Sequence, residues 1–134
     1  MTTGNPECHI ILRGGRKTVN YTADCVADTA AKMEKAGIPP RIMIDCSHAN
    51  SSKDYRRQAV VCHDVAAQIA GGDRRIVGVM LESNLVAGAQ ALRPGQPLDS
   101  LVYGQSITDA CIDWPETHKL LTELAAAVRA RRKA

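Results

Sequence analysis

Three stretches of this chain carry side chains of the types that bind divalent metals: Ile44-Asp45-Cys46-Ser47-His48, Gly78-Val79-Met80-Leu81-Glu82-Ser83 and Ser106-Ile107-Thr108-Asp109-Ala110-Cys111. In the first two the polar group follows an apolar run. A buried parallel strand delivers a reactive group to the carboxyl edge of a sheet in this way, and function in open α/β sheets and barrels concentrates at that edge. His48, Glu82 and Asp109 are candidate ligands for one metal, and a mixed imidazole and carboxylate set suits Mn²⁺, Fe²⁺ or Zn²⁺ without choosing among them. Their positions, 48, 82 and 109, form no local ligand motif, so only a fold that brings strand ends together can unite them. Arg13 is a fourth candidate. It ends an apolar run and precedes Gly14-Gly15, where backbone can approach a ligand and a guanidinium offers a planar fork to phosphate or carboxylate.

Each residue also has an ordinary use. Arg13 can be a surface side chain beside a turn, and His48 can be a structural hydrogen-bonding group. The Ser/Asn cluster around His48 can orient it, bind substrate or simply cap the next helix. Glu82 can be solvated just past a strand, and Asp109 can be a loop or cap residue. Cys46 and Cys111 flank the candidate ligands and read as small buried packing residues.

The elements that must position these groups follow a strand-then-helix pattern. Apolar runs predict strands at Cys8–Leu12, Arg41–Ile44 and Ile76–Leu81. Helical periodicity predicts helices over about 22–36, 54–70 and 115–131, the first capped by Thr22 and ended by Gly37, Pro39 and Pro40. Positions 84–105, rich in Gly, Pro and Gln, read as a long loop. Near-continuous apolar strands imply burial on both faces, as in parallel sheets flanked by helices. Three such strands leave two edges unpaired, which gives the fold an unfinished look.

At 134 residues the chain fits one domain, and 45% hydrophobic against 23% charged residues is the balance of a globular protein. Phe is absent, so the core must be built from Ile, Leu, Val, Met and Ala. A formal charge of +3 is too small to argue for a nucleic-acid partner, and Arg129, Arg131, Arg132 and Lys133 read as a solvent-facing complement to a helix dipole. The five Cys are odd in number and lack CxxC spacing, which points to reduced thiols in a cytoplasmic protein. No apolar run reaches the length of a membrane span.

Taken together, Cys8-His9-Ile10-Ile11-Leu12-Arg13-Gly14-Gly15, Asp45-Cys46-Ser47-His48-Ala49-Asn50-Ser51, Gly78-Val79-Met80-Leu81-Glu82-Ser83 and Ser106-Ile107-Thr108-Asp109-Ala110-Cys111 resemble, in the same order, the carboxyl-terminal part of class I 3-deoxy-D-arabino-heptulosonate 7-phosphate (DAHP) synthases. The resemblance spans essentially all of residues 1–134. It implies an α/β fold, a partial (β/α)8 TIM barrel made of the last three βα units with parallel strands. It also implies a transferase at the entry to the shikimate pathway, which condenses phosphoenolpyruvate with erythrose 4-phosphate and releases phosphate. The positions of His48, Glu82 and Asp109 then hold a divalent metal that orients or polarises the aldehyde, and Arg13 binds phosphoenolpyruvate. The family's fourth ligand, a Cys after the first barrel strand, and its Lys-Pro-Arg substrate motif have no counterpart here. A closed barrel takes about 250 residues. The resemblance therefore implies a partner, the amino-terminal part of the barrel, and a homo-oligomer when complete. The isolated chain is expected to be inactive. The alternative is a non-catalytic α/β remnant or a partner-dependent binding module.

Overall fold

A computed structural model describes all residues except Thr2, Pro6, Lys17 and Ala134. Three βα units follow one another. Strand β1 (Ile10–Leu12) leads to helix α1 (Ala23–Lys35), and β2 (Ile42–Asp45) leads to α2 (Gln58–Ala70). Strand β3 (Ile76–Met80) leads, after an excursion, to α3 (Trp114–Arg131). The three strands form one parallel sheet in the order β1-β2-β3, with Leu12 beside Ile44 and Asp45 beside Met80. In-register parallel pairing sets the three carboxyl ends side by side.

Sequence punctuation fixes the helix ends. Gly37 has φ +71°, its N–H donates to Glu34 O and that of Ile38 donates to Met33 O, which satisfies the last carbonyls of α1. Gly72 (φ +102°) and Asp73 repeat the arrangement on Ile69 O and Gln68 O at the end of α2. Asp113 starts α3 by accepting the Glu116 N–H, with Pro115 in the first turn. Thr22 occupies the position before α1 in an extended conformation, but its hydroxyl makes no capping bond.

The core joins Ile42 and Ile44 of the central strand to Val26, Ala30 and Met33 of α1, to Val61, Val65 and Ile69 of α2, and to Leu120 and Leu124 of α3. Aliphatic residues fill it, as the lack of Phe requires. Burial on both faces holds for β2 only in part and fails at the edges. Met43 is half-buried, while Ile11 and Val77 are 52% and 56% exposed. Among the described residues the outer edges of β1 and β3 have no paired strand.

Two further sequence expectations need correction. The segment 84–105 is not a plain loop: Val86–Ala89 (β4) pairs in parallel with Gln105–Ser106 (β5). Gln90 fastens the excursion, its Nε2 donating to Val102 O and Gln105 O while its Oε1 accepts the Val102 N–H. The Gly/Gln composition hid this because side-chain amides, not an apolar run, reinforce the backbone pairing of the strands. Secondly, Arg131 does not simply face solvent. Its guanidinium donates to Asp73 O and Ile76 O, tying the end of α3 to the start of β3.

Candidate metal centre

His48, Glu82 and Asp109 converge at the carboxyl edge of the sheet, each offering a ligand atom within 4.8 Å of the other two. Two ligands about 2.2 Å from one ion can be at most about 4.4 Å apart, so a slight closing of the triad would hold a cation. They border a cavity of about 450 Å³ that is also lined by Arg13, Gly14, Ser47 and Lys53. All four residues singled out in the sequence thus meet at one place.

The sheet brings His48 there through a tight loop after β2. His48 has φ +48°, and Ser52 and Lys53 are also left-handed, so three non-glycine residues of one loop adopt a disfavoured conformation. Asn50 holds the loop to the sheet: its buried amide donates to Leu12 O and Asp45 O and accepts the Asn20 N–H. Gly14 (φ +85°) lies so close to this loop that a Cβ there would come within 2.6 Å of the Ala49 Cβ.

Asp45 stands behind His48. Its side chain is 2% exposed, and Oδ2 lies 2.7 Å from His48 Nδ1. The ring N–H is not aimed along that line, so the contact is electrostatic rather than a formed hydrogen bond. The far nitrogen, Nε2, faces Glu82 Oε1 across 3.7 Å. A carboxylate behind one imidazole nitrogen favours a proton there and leaves the other nitrogen's lone pair for a metal. The same Asp45 oxygen is 3.7 Å from Nε of the largely exposed Arg13.

Glu82 is fixed twice. Ser47 Oγ donates to its Oε2 over 2.6 Å, and the side-chain amide of Gln58 bonds its backbone N–H and carbonyl. Asp109 arrives by another route. The N–H of Ile112 donates to Glu82 O, the Asn84 N–H donates to Ile112 O, and Cys111 and Gly88 exchange backbone bonds, so the segment after Asp109 is pinned beside residues 82–84 and 88. Among the described residues the Asp109 carboxylate has no hydrogen bond or ion pair, which leaves a free anionic ligand beside a second carboxylate.

The flanking thiols differ. Cys46 is fully buried, and a hydrogen bond with Cys62, reinforced by burial, pushes its pKa far up. Burial pushes Cys111 up as well and the charges of Glu82 and Asp109 add to the shift, against a hydrogen bond with Ser106. Both environments favour the neutral thiol.

Sequence reasoning missed Asp45, Gln58 and Lys53. A carboxylate ending an otherwise apolar strand was a usable signal for Asp45, whereas nothing local marked Gln58. The hydroxyls and amide expected around His48 also act elsewhere: Ser47 serves Glu82, and Asn50 serves backbone.

Comparison with known proteins follows the same lines. Residues 1–122 match the model of the DAHP synthetase I family. The Phe-sensitive phospho-2-dehydro-3-deoxyheptonate aldolase of Escherichia coli (strain K12) is 56% identical over 131 residues, 98% of this chain and 36% of that protein. The tyrosine-inhibited enzyme of that name from Schizosaccharomyces pombe is 54% identical over 135 residues, with 99% and 36% covered. The solved structure of phospho-2-dehydro-3-deoxyheptonate aldolase from Francisella tularensis SCHU S4 superposes with a TM-score of 0.89 at 48% identity, over 97% of this chain and 37% of that one. The chain spans little more than a third of the length of these relatives. Over the part it spans, the shared sequence and fold show that the chain belongs to the DAHP synthetase I family.

Proposed function

We propose that the chain is the carboxyl-terminal part of a 3-deoxy-7-phosphoheptulonate synthase, the last three βα units of a (β/α)8 barrel. In a complete barrel it serves the condensation of phosphoenolpyruvate with erythrose 4-phosphate. The observation that carries this reading is the convergence of His48, Glu82 and Asp109, from three separate segments, to within 4.8 Å of one another in a cavity that Arg13 also lines.

The donor set of one imidazole nitrogen and two carboxylates suits Mn²⁺, Fe²⁺ or Zn²⁺. The buried carboxylate behind His48 is the kind of support that metal-ligating histidines have. When bound, the metal supplies Lewis-acid polarisation of the sugar aldehyde. The protein groups do the rest. Asp45 keeps the His48 lone pair aimed into the cavity, and Ser47 with Gln58 holds Glu82 in place. Arg13, whose one ion-pair contact among the described residues is the distant one with Asp45, presents its fork to the anionic end of phosphoenolpyruvate. The enol carbon of phosphoenolpyruvate bonds to the aldehyde carbon, water adds to the resulting cationic centre, and phosphate departs. Further anion-binding groups come from the amino-terminal part of the barrel. Assembly into a homo-oligomer and a cytoplasmic location go with this reading, and no described helix is long and apolar enough to cross a membrane.

Titration calorimetry with Mn²⁺ tests it. The chain should bind one ion saturably, and His48→Ala should abolish the site; absence of saturable binding would overturn the metal assignment. The isolated 134 residues should form no product from the two substrates. Metal-dependent turnover by this chain alone would sink the requirement for a complete barrel.

A second reading, a non-catalytic remnant or partner-dependent module, draws on the exposed Ile11 and Val77 beside unpaired strand edges. A folded chain with no metal affinity that still binds a partner through these edges would favour it.

A further inference from the structure

Asp45 is a buried carboxylate in contact with two side chains that line the cavity, His48 and Arg13. Its Oδ2 lies 2.7 Å from His48 Nδ1 and 3.7 Å from Arg13 Nε, while Oδ1 accepts the Ser47 N–H over 2.8 Å. At 2% side-chain exposure it has little water to screen it, so the two cationic or protonated neighbours compete for one oxygen. We propose that Asp45 is a positioning residue that couples the metal triad to the anion-binding Arg13, so that an anion on Arg13 and a divalent cation at His48 strengthen each other's binding.

The sign follows from electrostatics. The Arg13 guanidinium draws on the Asp45 charge and weakens its electrostatic hold on the imidazole. A phosphate or carboxylate bound to Arg13 neutralises that pull. Asp45 then polarises His48 more fully, and Nε2 becomes a better donor to the metal. Linkage requires the converse, that the metal improves anion binding by the same factor. The inference rests on the metal reading of this site, and the two can fail separately.

A double-mutant cycle with Mn²⁺ alone as the probe tests it on the full chain. Arg13→Met removes the competing charge and should tighten Mn²⁺ binding on the order of fivefold. Asp45→Asn, which keeps an acceptor for the Ser47 N–H, should weaken Mn²⁺ binding by roughly tenfold. In the Asp45→Asn background, Arg13→Met should then have no further effect. Equal tightening in both backgrounds would mean that Arg13 acts on the metal directly through space, and would overturn the coupling; so would no change in either. A parent chain that binds no Mn²⁺ overturns the metal reading and the inference together.

Should Asp45→Asn fail to fold by circular dichroism, ¹⁵N NMR of the metal-free His48 ring decides. The parent should carry its proton on Nδ1, and Arg13→Met should shift that nitrogen's resonance. An unshifted resonance, or a proton on Nε2, would overturn the role given to Asp45.

Discussion

The side-chain amide of Gln58 forms a closed pair of bonds with the backbone of Glu82, Nε2 donating to the carbonyl over 3.1 Å and Oε1 accepting the N–H over 2.7 Å. Gln58 is fully buried in the first turn of α2, so one helix of the core reaches under the loop and sets where the carboxylate stands. Glu82 O has a second donor in Ile112, whereas its N–H depends on Gln58. Gln58→Leu should therefore strand a part-buried N–H and cost about 2 kcal/mol, measured by urea unfolding. It should also weaken Mn²⁺ binding in calorimetry, because the backbone that carries the ligand is released.

Ser47→Ala isolates the orientation of Glu82 from its anchorage. The lost bond is one hydroxyl to Oε2, at the cavity rim. Mn²⁺ affinity should fall about tenfold, in the range for groups that orient a metal ligand, while circular dichroism stays native. Unchanged affinity would place Ser47 outside the ligand support.

Gly14→Ala tests the close approach between the β1 and β2 loops. The new methyl would stand 2.6 Å from the Ala49 Cβ and 2.8 Å from backbone atoms of Ala49 and Asn50, at a φ of +85° that alanine resists. Backbone cannot move aside as a side-chain tip can, so the variant should lose about 3 kcal/mol of stability in urea unfolding.

Asp73 supplies a pH-dependent contribution away from the cavity. The hydrogen bonds from the Arg75 guanidinium, with help from the Arg75 N–H and charge, hold its carboxyl below the usual range despite the opposing effect of burial. A depressed pKa stabilises the fold above the unfolded value of about 4 and ceases to do so as pH falls through the folded value. The parent should exceed Asp73→Asn by about 1 kcal/mol at pH 7 and by less near pH 2, in urea unfolding at the two pH values. Equal gaps at both would show that the ion pair contributes nothing.

The three sheet strands were legible because each is a short apolar run closed by polar residues, and the helix ends because Gly37, Gly71-Gly72 and Pro115 punctuate them. Convergence of His48, Glu82 and Asp109 could be anticipated only from the combined order of four motifs, since their spacing carries no local signal. Strands β4 and β5 were not legible. Backbone bonds pair them, and the Gln90 and Gln105 amides that reinforce the pairing stand in for an apolar pattern. Gln58 and Asp45 show the complementary limit. A buried polar residue announces a need for partners but not their identity, and the partner of Gln58 lies 24 positions away.

Arg13, His48, Glu82 and Asp109 belong to four successive segments that meet only when the sheet and the excursion after β3 are both in place. No single βα unit contains the cavity, so ligand occupancy is a property of the assembled tertiary structure alone. A cation held by the triad would bind the native ensemble and not the unfolded chain, and at a hundredfold excess over its dissociation constant would add about 2.7 kcal/mol to the unfolding free energy. The melting temperature under graded metal then becomes a gauge of site integrity, readable without substrate or turnover.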